Sequence, residues 1–114
     1  MITVKTEPFL RVYLNGQEIQ NMNDHLGFRK QYPSVSGGAR VLAFGLGIGL
    51  DTDYLLSFPI RKLTVIEKEK EFIDYYISSH KIIDPRLEII NADCREYVWN
   101  KTHWEYVINT AIEF

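Results

Sequence analysis

Gly45, Gly47 and Gly49 stand at alternate positions directly after the apolar run Val41-Leu42-Ala43-Phe44. Twenty-two residues after Gly45, Glu67 closes a second apolar run, Leu63-Thr64-Val65-Ile66, and Lys68 follows it. A glycine turn after one strand and an acid after the next is how a βαβ unit holds a nucleoside. The glycines admit the ligand close to the backbone, and the carboxylate accepts hydrogen bonds from ribose hydroxyls. A third acid, Asp93, follows the apolar stretch Leu87–Asn91 and can accept a bond from an exocyclic amine of adenine. Each residue also has a plainer reading. The glycines could form a tight strand–helix turn that binds nothing. Glu67 could be a solvated acid favouring the positive end of the helix that follows, and Asp93 could cap a short helix. Cys94 is better placed as a small packed residue than as a nucleophile, because the sequence puts no base beside it.

The elements that must position these residues follow from periodicity. Phe9–Leu14 and Gln17–Met22 flank Asn15-Gly16, a strong hairpin signal. Residues 23–38 carry loop chemistry, including Pro33 and Gly37-Gly38, with one helical turn over His25–Gln31. An α/β alternation then begins. Arg40–Gly45 is a strand, and Asp51 or Thr52 caps a short helix that Pro59 ends. Lys62–Glu67 is the second core strand. Lys70–Lys81 is a helix with Phe72, Ile73, Tyr76, Ile77 and His80 on one face. Leu87–Asn91 is the third strand, Asp93–Trp99 forms one or two helical turns, and Tyr106–Thr110 is the fourth strand. Right-handed crossovers make this an α/β protein, a parallel sheet with helices on both faces and its crevice at the strand carboxyl ends. The glycine turn, Glu67, Asp93 and Asn109 all fall at those ends.

Composition narrows the alternatives. At 114 residues the chain is one compact domain, a hairpin and loop over 1–38 followed by a nucleoside-binding core over 39–114. A net charge of −2 gives no broad positive field for nucleic acid. One cysteine excludes an internal disulfide and a thiolate metal cluster, and His25, His80 and His103 lack ligand spacing, so no metal site is expected. No leader and no apolar run near 18 residues stand out, so the expectation is a cytoplasmic protein without membrane attachment. The GxGxG spacing puts Leu50 where a dinucleotide fingerprint has its third glycine, which argues against NAD or FAD.

Gly45–Gly49, Val65-Ile66-Glu67 and Asn91-Ala92-Asp93 resemble the Rossmann-like class I methyltransferase fold that binds S-adenosylmethionine. Within that fold the resemblance is closest to the spermidine synthases, the polyamine aminopropyltransferases. Val12–Gln20 looks like their amino-terminal hairpin, Asp24 like the acid after it, and Asp84–Ile90 like their entry into the third strand. The fold implied is a reduced parallel sheet with an amino-terminal β-hairpin, cut short after the fourth core strand. The resemblance implies that S-adenosylmethionine or its decarboxylated form is the cofactor. Gly45, Leu46, Gly47 and Gly49 would lie near its amino acid portion, Glu67 and Lys68 at the ribose, and Asp93 and Cys94 at the adenine edge.

The chain departs from the synthases in three places. Their tyrosine–histidine pair after the hairpin acid is absent, and Phe28-Arg29 stands nearest. Their acid after the fourth strand is replaced by Asn109-Thr110, neither of which is a general base near neutral pH. The later strands that close their acceptor pocket do not follow. Methyl transfer asks less of the protein, since much of its acceleration comes from holding the acceptor in line. Asn109 with Glu113 four residues on resembles the turn after the fourth strand in some small-molecule methyltransferases. There Asn109 would orient an acceptor amine and Glu113 would contact it; local backbone bonding by Asn109 and a solvated Glu113 are an equal alternative. The expectation is therefore a transferase moving a methyl or aminopropyl group to a small acceptor such as an amine. The competing reading is a nucleoside- or partner-binding module without catalysis. An apolar edge at Tyr106-Val107-Ile108 further predicts a homodimer or a place in a larger assembly.

Overall fold

The computed structural model describes residues 1–109. Asn15 (φ 50°) and Gly16 (φ 84°) both adopt left-handed backbone, the pairing that a two-residue hairpin turn demands. They join β2 (Arg11–Leu14) to β3 (Gln17–Asn21), and β1 (Ile2–Lys5) adds an antiparallel strand on the other side of β2. This three-stranded sheet leads directly into α1 (Met22–Gln31), which is longer than the single turn predicted. Asn21 and Asp24 form a reciprocal capping box, each side chain accepting the other's backbone N–H. Only His25 and Phe28 of α1 are buried, so little apolar periodicity announces the helix.

The core is a four-stranded parallel sheet in the order β6-β5-β4-β7, built from β4 (Arg40–Phe44), β5 (Lys62–Glu67), β6 (Leu87–Asn91) and β7 (Tyr106–Asn109). Val41 to Phe44 are buried throughout, as expected of a central parallel strand covered on both faces. One face packs on a cluster that takes Phe28 from α1, Leu55 from α2 (Leu50–Leu56) and Tyr76 from α3 (Lys70–Ser79). On the other face Leu42, Phe44 and Ile66 are closed over by Tyr97, Trp99 and Trp104. The helix predicted over Asp93–Trp99 is absent: a turn and irregular chain occupy the segment, followed by one 3₁₀ turn at Lys101–His103. Bulky aromatic side chains cover the sheet there without a helix. In α3, Phe72 and Tyr76 are buried as predicted, but Ile77 is 52% exposed and lies off the packed face.

The cap expected from Asp51 or Thr52 is not made. Gly49, in left-handed conformation, is the N-cap of α2 and no side chain bonds there. Further on, Asp53 joins α2 to the end of α3. Tyr76 Oη donates to Asp53 Oδ1 at 2.7 Å, and His80 Nε2 lies 2.8 Å from Asp53 Oδ2. His80 Nδ1 lies 2.8 Å from the Tyr76 carbonyl. Both ring nitrogens thus face acceptors, an arrangement satisfied by the doubly protonated imidazolium at a helix C-terminus. Partial burial pulls the His80 pKa down, but the bonds to Asp53 and the Tyr76 carbonyl outweigh it and the net direction is upward.

The sign of the resulting pH dependence follows. A folded-state value above the unfolded one gives stabilisation that is complete below the ordinary histidine value of about 6.5. It is lost as pH rises through the folded value. The thermal midpoint should therefore fall more steeply above about pH 6.5 in the native chain than in His80→Gln. Identical slopes would remove the Asp53–His80 contact from the stability of the fold.

Candidate functional site

The site begins at the carboxyl end of β4, where the neighbouring strands β5 and β7 lead away on opposite sides. Gly45, Gly47 and Gly49 all have positive φ. At Gly49 a β-carbon would overlap the buried Tyr76 ring, so that position also needs the missing side chain for space, whereas at Gly47 it would meet only the end of the Gln20 side chain.

Glu67 holds this turn in place. Its side chain is buried at the end of β5, and Oε1 accepts the backbone N–H groups of Leu46 at 2.8 Å and Gly47 at 3.2 Å. Oε2 accepts the N–H of Glu69 at 2.9 Å. The carboxylate predicted for ribose thus also organises the turn. A carboxylate has about four lone-pair directions, which leaves one for a ligand. Asn91 ties the next strand in, its Nδ2 donating to the carbonyls of Glu67 and Lys68, both at 2.9 Å.

A cleft of about 1000 Å³ opens above these strand ends, as large as small-molecule sites become. It brings together Gly45, Leu46, Gly47, Glu67, Lys68, Asp93, Cys94 and Asn109. Gly49 is set behind the turn against Tyr76 and is not among the lining residues. Asn109 ends β7 opposite Phe44 in the sheet register. Glu113 and Thr110 lie outside the described residues. Cys94 is a free thiol packed against the Leu42, Phe44 and Ile66 cluster.

Asp93 does not cap a helix. Its Oδ1 accepts from Arg95 N and Nε at 2.9 and 3.0 Å, and its Oδ2 accepts from Arg95 Nη2 at 2.6 Å. The Arg95 side chain, then its backbone N–H, holds the Asp93 carboxyl far below the usual carboxylate range. This end of the cleft therefore presents a paired acid and guanidinium.

The opposite wall contains residues that spacing did not reveal. Gln20 projects from β3 to the glycine turn, and its Oε1 is buried without a hydrogen-bond partner among the described residues. Asp51 lines the cleft from the first turn of α2, and its Oδ1 lies 2.6 Å from His25 Nδ1 on α1. Both side chains of this pair are about nine-tenths buried. Burial pushes the Asp51 carboxyl up, against the opposing pull of His25. The hairpin offered the only sequence signal for Gln20; none marks two residues 26 positions apart as partners.

No protein-family model matches the chain. Polyamine aminopropyltransferase 2 of Ralstonia nicotianae is 23% identical over 112 residues, which cover 86% of this chain and 22% of that protein. The polyamine aminopropyltransferase 1 of the same organism matches equally, so the chain spans about a fifth of the length of the curated relatives it matches. Among solved structures, spermidine synthase from Thermotoga maritima superposes with a TM-score of 0.74 at 20% identity, over 96% of this chain and 44% of that one. A Haemonchus contortus phosphoethanolamine N-methyltransferase 2 in complex with S-adenosyl-L-methionine gives 0.63 at 22% identity, covering 80% and 21%. An S-adenosylmethionine-dependent methyltransferase from Mesorhizobium loti gives 0.61 at 14%, covering 74% and 37%. The chain has the Rossmann-like class I methyltransferase fold, preceded by an antiparallel hairpin. Among the described residues no helix is long and apolar enough to cross a membrane.

The clasp by Glu67 gives a direct expectation. Glu67→Ala leaves the Leu46 and Gly47 N–H groups without their acceptor and should cost about 1–3 kcal/mol in chemical denaturation. A cost below about 0.5 kcal/mol would show that the turn holds its shape without the carboxylate.

Proposed function

We propose that the cleft binds an S-adenosylmethionine-type nucleoside and serves transfer of its aminopropyl or methyl group to a small amine. The observation that carries this reading is how the turn's hydrogen bonds are spent. The N–H of Gly45 goes to Ile66 O, those of Leu46 and Gly47 to Glu67, and that of Gly49 to Leu46 O. A dinucleotide pyrophosphate needs free N–H groups at such a turn, and these four are occupied. Leu50 begins α2 where the dinucleotide fingerprint has a glycine. What the turn and β5 can offer instead is close backbone approach and a remaining acceptor on Glu67 for a ribose hydroxyl.

Charge on the far wall favours an amine-bearing ligand. The hairpin and α1 contribute Glu18 and Asp24 to the cleft, and no Lys or Arg among the described residues lines it from that side. A carboxylate-bearing tail would find no counter-ion there, whereas an ammonium finds several acceptors. The decarboxylated form of S-adenosylmethionine, and an amine as acceptor, suit this wall best. The aminopropyltransferase relatives and the synthase and methyltransferase neighbours support the same class of chemistry.

A second reading rests on Asn109. An amide at the end of β7 neither gives nor takes a proton near neutral pH, which favours a nucleoside-binding protein without transfer. Calorimetric titration with S-adenosylmethionine, its decarboxylated form, methylthioadenosine and NAD tests the pocket. Micromolar binding of the first three, strongest for the decarboxylated form, and none of NAD is expected; binding of NAD alone would overturn the reading. Incubation with a diamine then separates the two readings, since release of methylthioadenosine reports aminopropyl transfer and S-adenosylhomocysteine reports methyl transfer.

A further inference from the structure

Two stretches of chain face each other across the cleft. The hairpin and α1 supply one wall, with Gln17, Glu18, Gln20, Asn23 and Asp24, and the strand ends supply the other. Residues 32–39 join them and form neither helix nor strand. At the start of this connection Tyr32 stays with the helices, its N–H on Phe28 O and its carbonyl accepting Tyr54 Oη at 2.7 Å. Further on, Ser36 bonds Tyr106 and the Gly38 N–H donates to Pro59 O. Exposed Pro33-Ser34 lies between these two anchorages. The helix α1 buries only His25 and Phe28. Phe28 joins the apolar core, while His25 docks on Asp51 at 2.6 Å. Two further links, Arg29 over the Tyr54 ring and the Met1 amino group on Glu71, rest on exposed cations. Apolar side chains of similar volume would hold two helices together at least as well as a buried ionisable pair. A pair that can change its charge suits a contact that must also be undone.

We propose that the hairpin and α1 form a lid over the cleft, hinged at Pro33-Ser34, held shut by the His25–Asp51 pair and released as pH rises. The lock is the proton the pair shares. Whether it sits on Nδ1 or on Oδ1, the two side chains together are neutral and their contact is satisfied. Loss of that proton to water leaves a buried carboxylate beside a neutral imidazole, and an uncompensated charge there is costly. Swinging α1 away hydrates Asp51, which already lines the cleft, so opening relieves the charge. The surrounding groups work in the same sense. Burial pushes the Asp51 carboxyl up, and the pull of His25 only partly offsets it. Asp24, on the first turn of α1, also opposes ionisation of Asp51. The Tyr54 ring stands edge-on to His25 at 6.2 Å, with Arg29 over it and its hydroxyl committed to Tyr32. Glu67 shares the cleft, but its oxygens are taken up by the turn and Glu69. The docked carboxyl thus titrates above a solvated one, whose value is about 3.9. Closure is fully supported below the solvated value and is lost as pH rises through the docked one.

The lid is independent of which ligand the cleft takes. Amide hydrogen exchange of the full chain, followed from about pH 4.5 to about pH 8 and corrected for its intrinsic pH dependence, tests it. Protection over Met22–Gln31 should fall about tenfold or more as pH rises through that range. The core strands, Val41–Phe44 and Leu63–Ile66, should keep theirs. Asp51→Asn keeps an acceptor for His25 and cannot ionise, so protection of α1 should no longer fall as pH rises. His25→Leu combined with Asp51→Leu puts an apolar contact in place of the pair and should likewise keep α1 protected at high pH. This double variant decides the matter if Asp51→Asn fails to fold. Native protection of α1 that does not fall with rising pH would overturn the lid, as would a fall that survives in either variant. A loss shared equally by the core strands would overturn it too, because opening of the whole fold needs no hinge.

Discussion

One carboxylate sets the geometry on which the cleft depends. Glu67 ends β5, which is buried from Leu63 onward, and its two oxygens gather three backbone N–H groups from two separate segments. Buried N–H groups must find acceptors, and the residues after β4 turn too sharply to find them in the ladder. The turn therefore closes onto the neighbouring strand instead of standing open. Parallel pairing of β4 with β5 brings Phe44 opposite Ile66, so the next residue on β5 is the one able to reach across. The three positive-φ glycines, the close approach of Gln20 and the start of α2 all follow from that closure.

Closure also divides the cleft into ends of different chemistry. Spending the turn's N–H groups internally removes the anion-binding character that glycine-rich turns ordinarily have. At the β6 end the positive charge belongs to Arg95, bound to Asp93, with Lys68 nearby. The hairpin end is acidic and rich in amides. A ligand with an uncharged, hydrogen-bonding body and a cationic extension complements this polarity, and an anionic extension does not.

Different physical signals explain which parts of this arrangement could be read from residues alone. Lys62–Glu67 and Leu87–Asn91 lie as predicted because parallel strands announce themselves as short apolar runs. The hairpin was evident in Asn15-Gly16, whose backbone demands are local. The α1 helix runs longer than its sequence predicts because a capping box and two buried side chains hold it, not an apolar stripe. At Asp93–Trp99 the reverse holds, and local helix-forming character loses to the packing of Tyr97 and Trp99 on the sheet. Glu67 and Asp93 are legible in the sequence because strand ends are predictable. Their partners carry no such signal: Arg95 reaches Asp93 through side-chain geometry that spacing does not encode. Asp51 stands at a cap position in the sequence, yet its contact is a histidine in the preceding helix.

Both tryptophans of the chain, Trp99 and Trp104, lie in the cluster that covers the Phe44 face of the sheet. Trp99 sits 6.1 Å from the Phe44 ring, and the same cluster contains Ala92 and Cys94, which lead from β6 into the cleft wall. The hairpin and α1 contain no indole. The chain's tryptophan emission therefore originates in the aromatic cover of the Phe44 face, against which Cys94 also packs. A ligand settling beside Cys94 should register in tryptophan emission more strongly than one confined to the acidic wall.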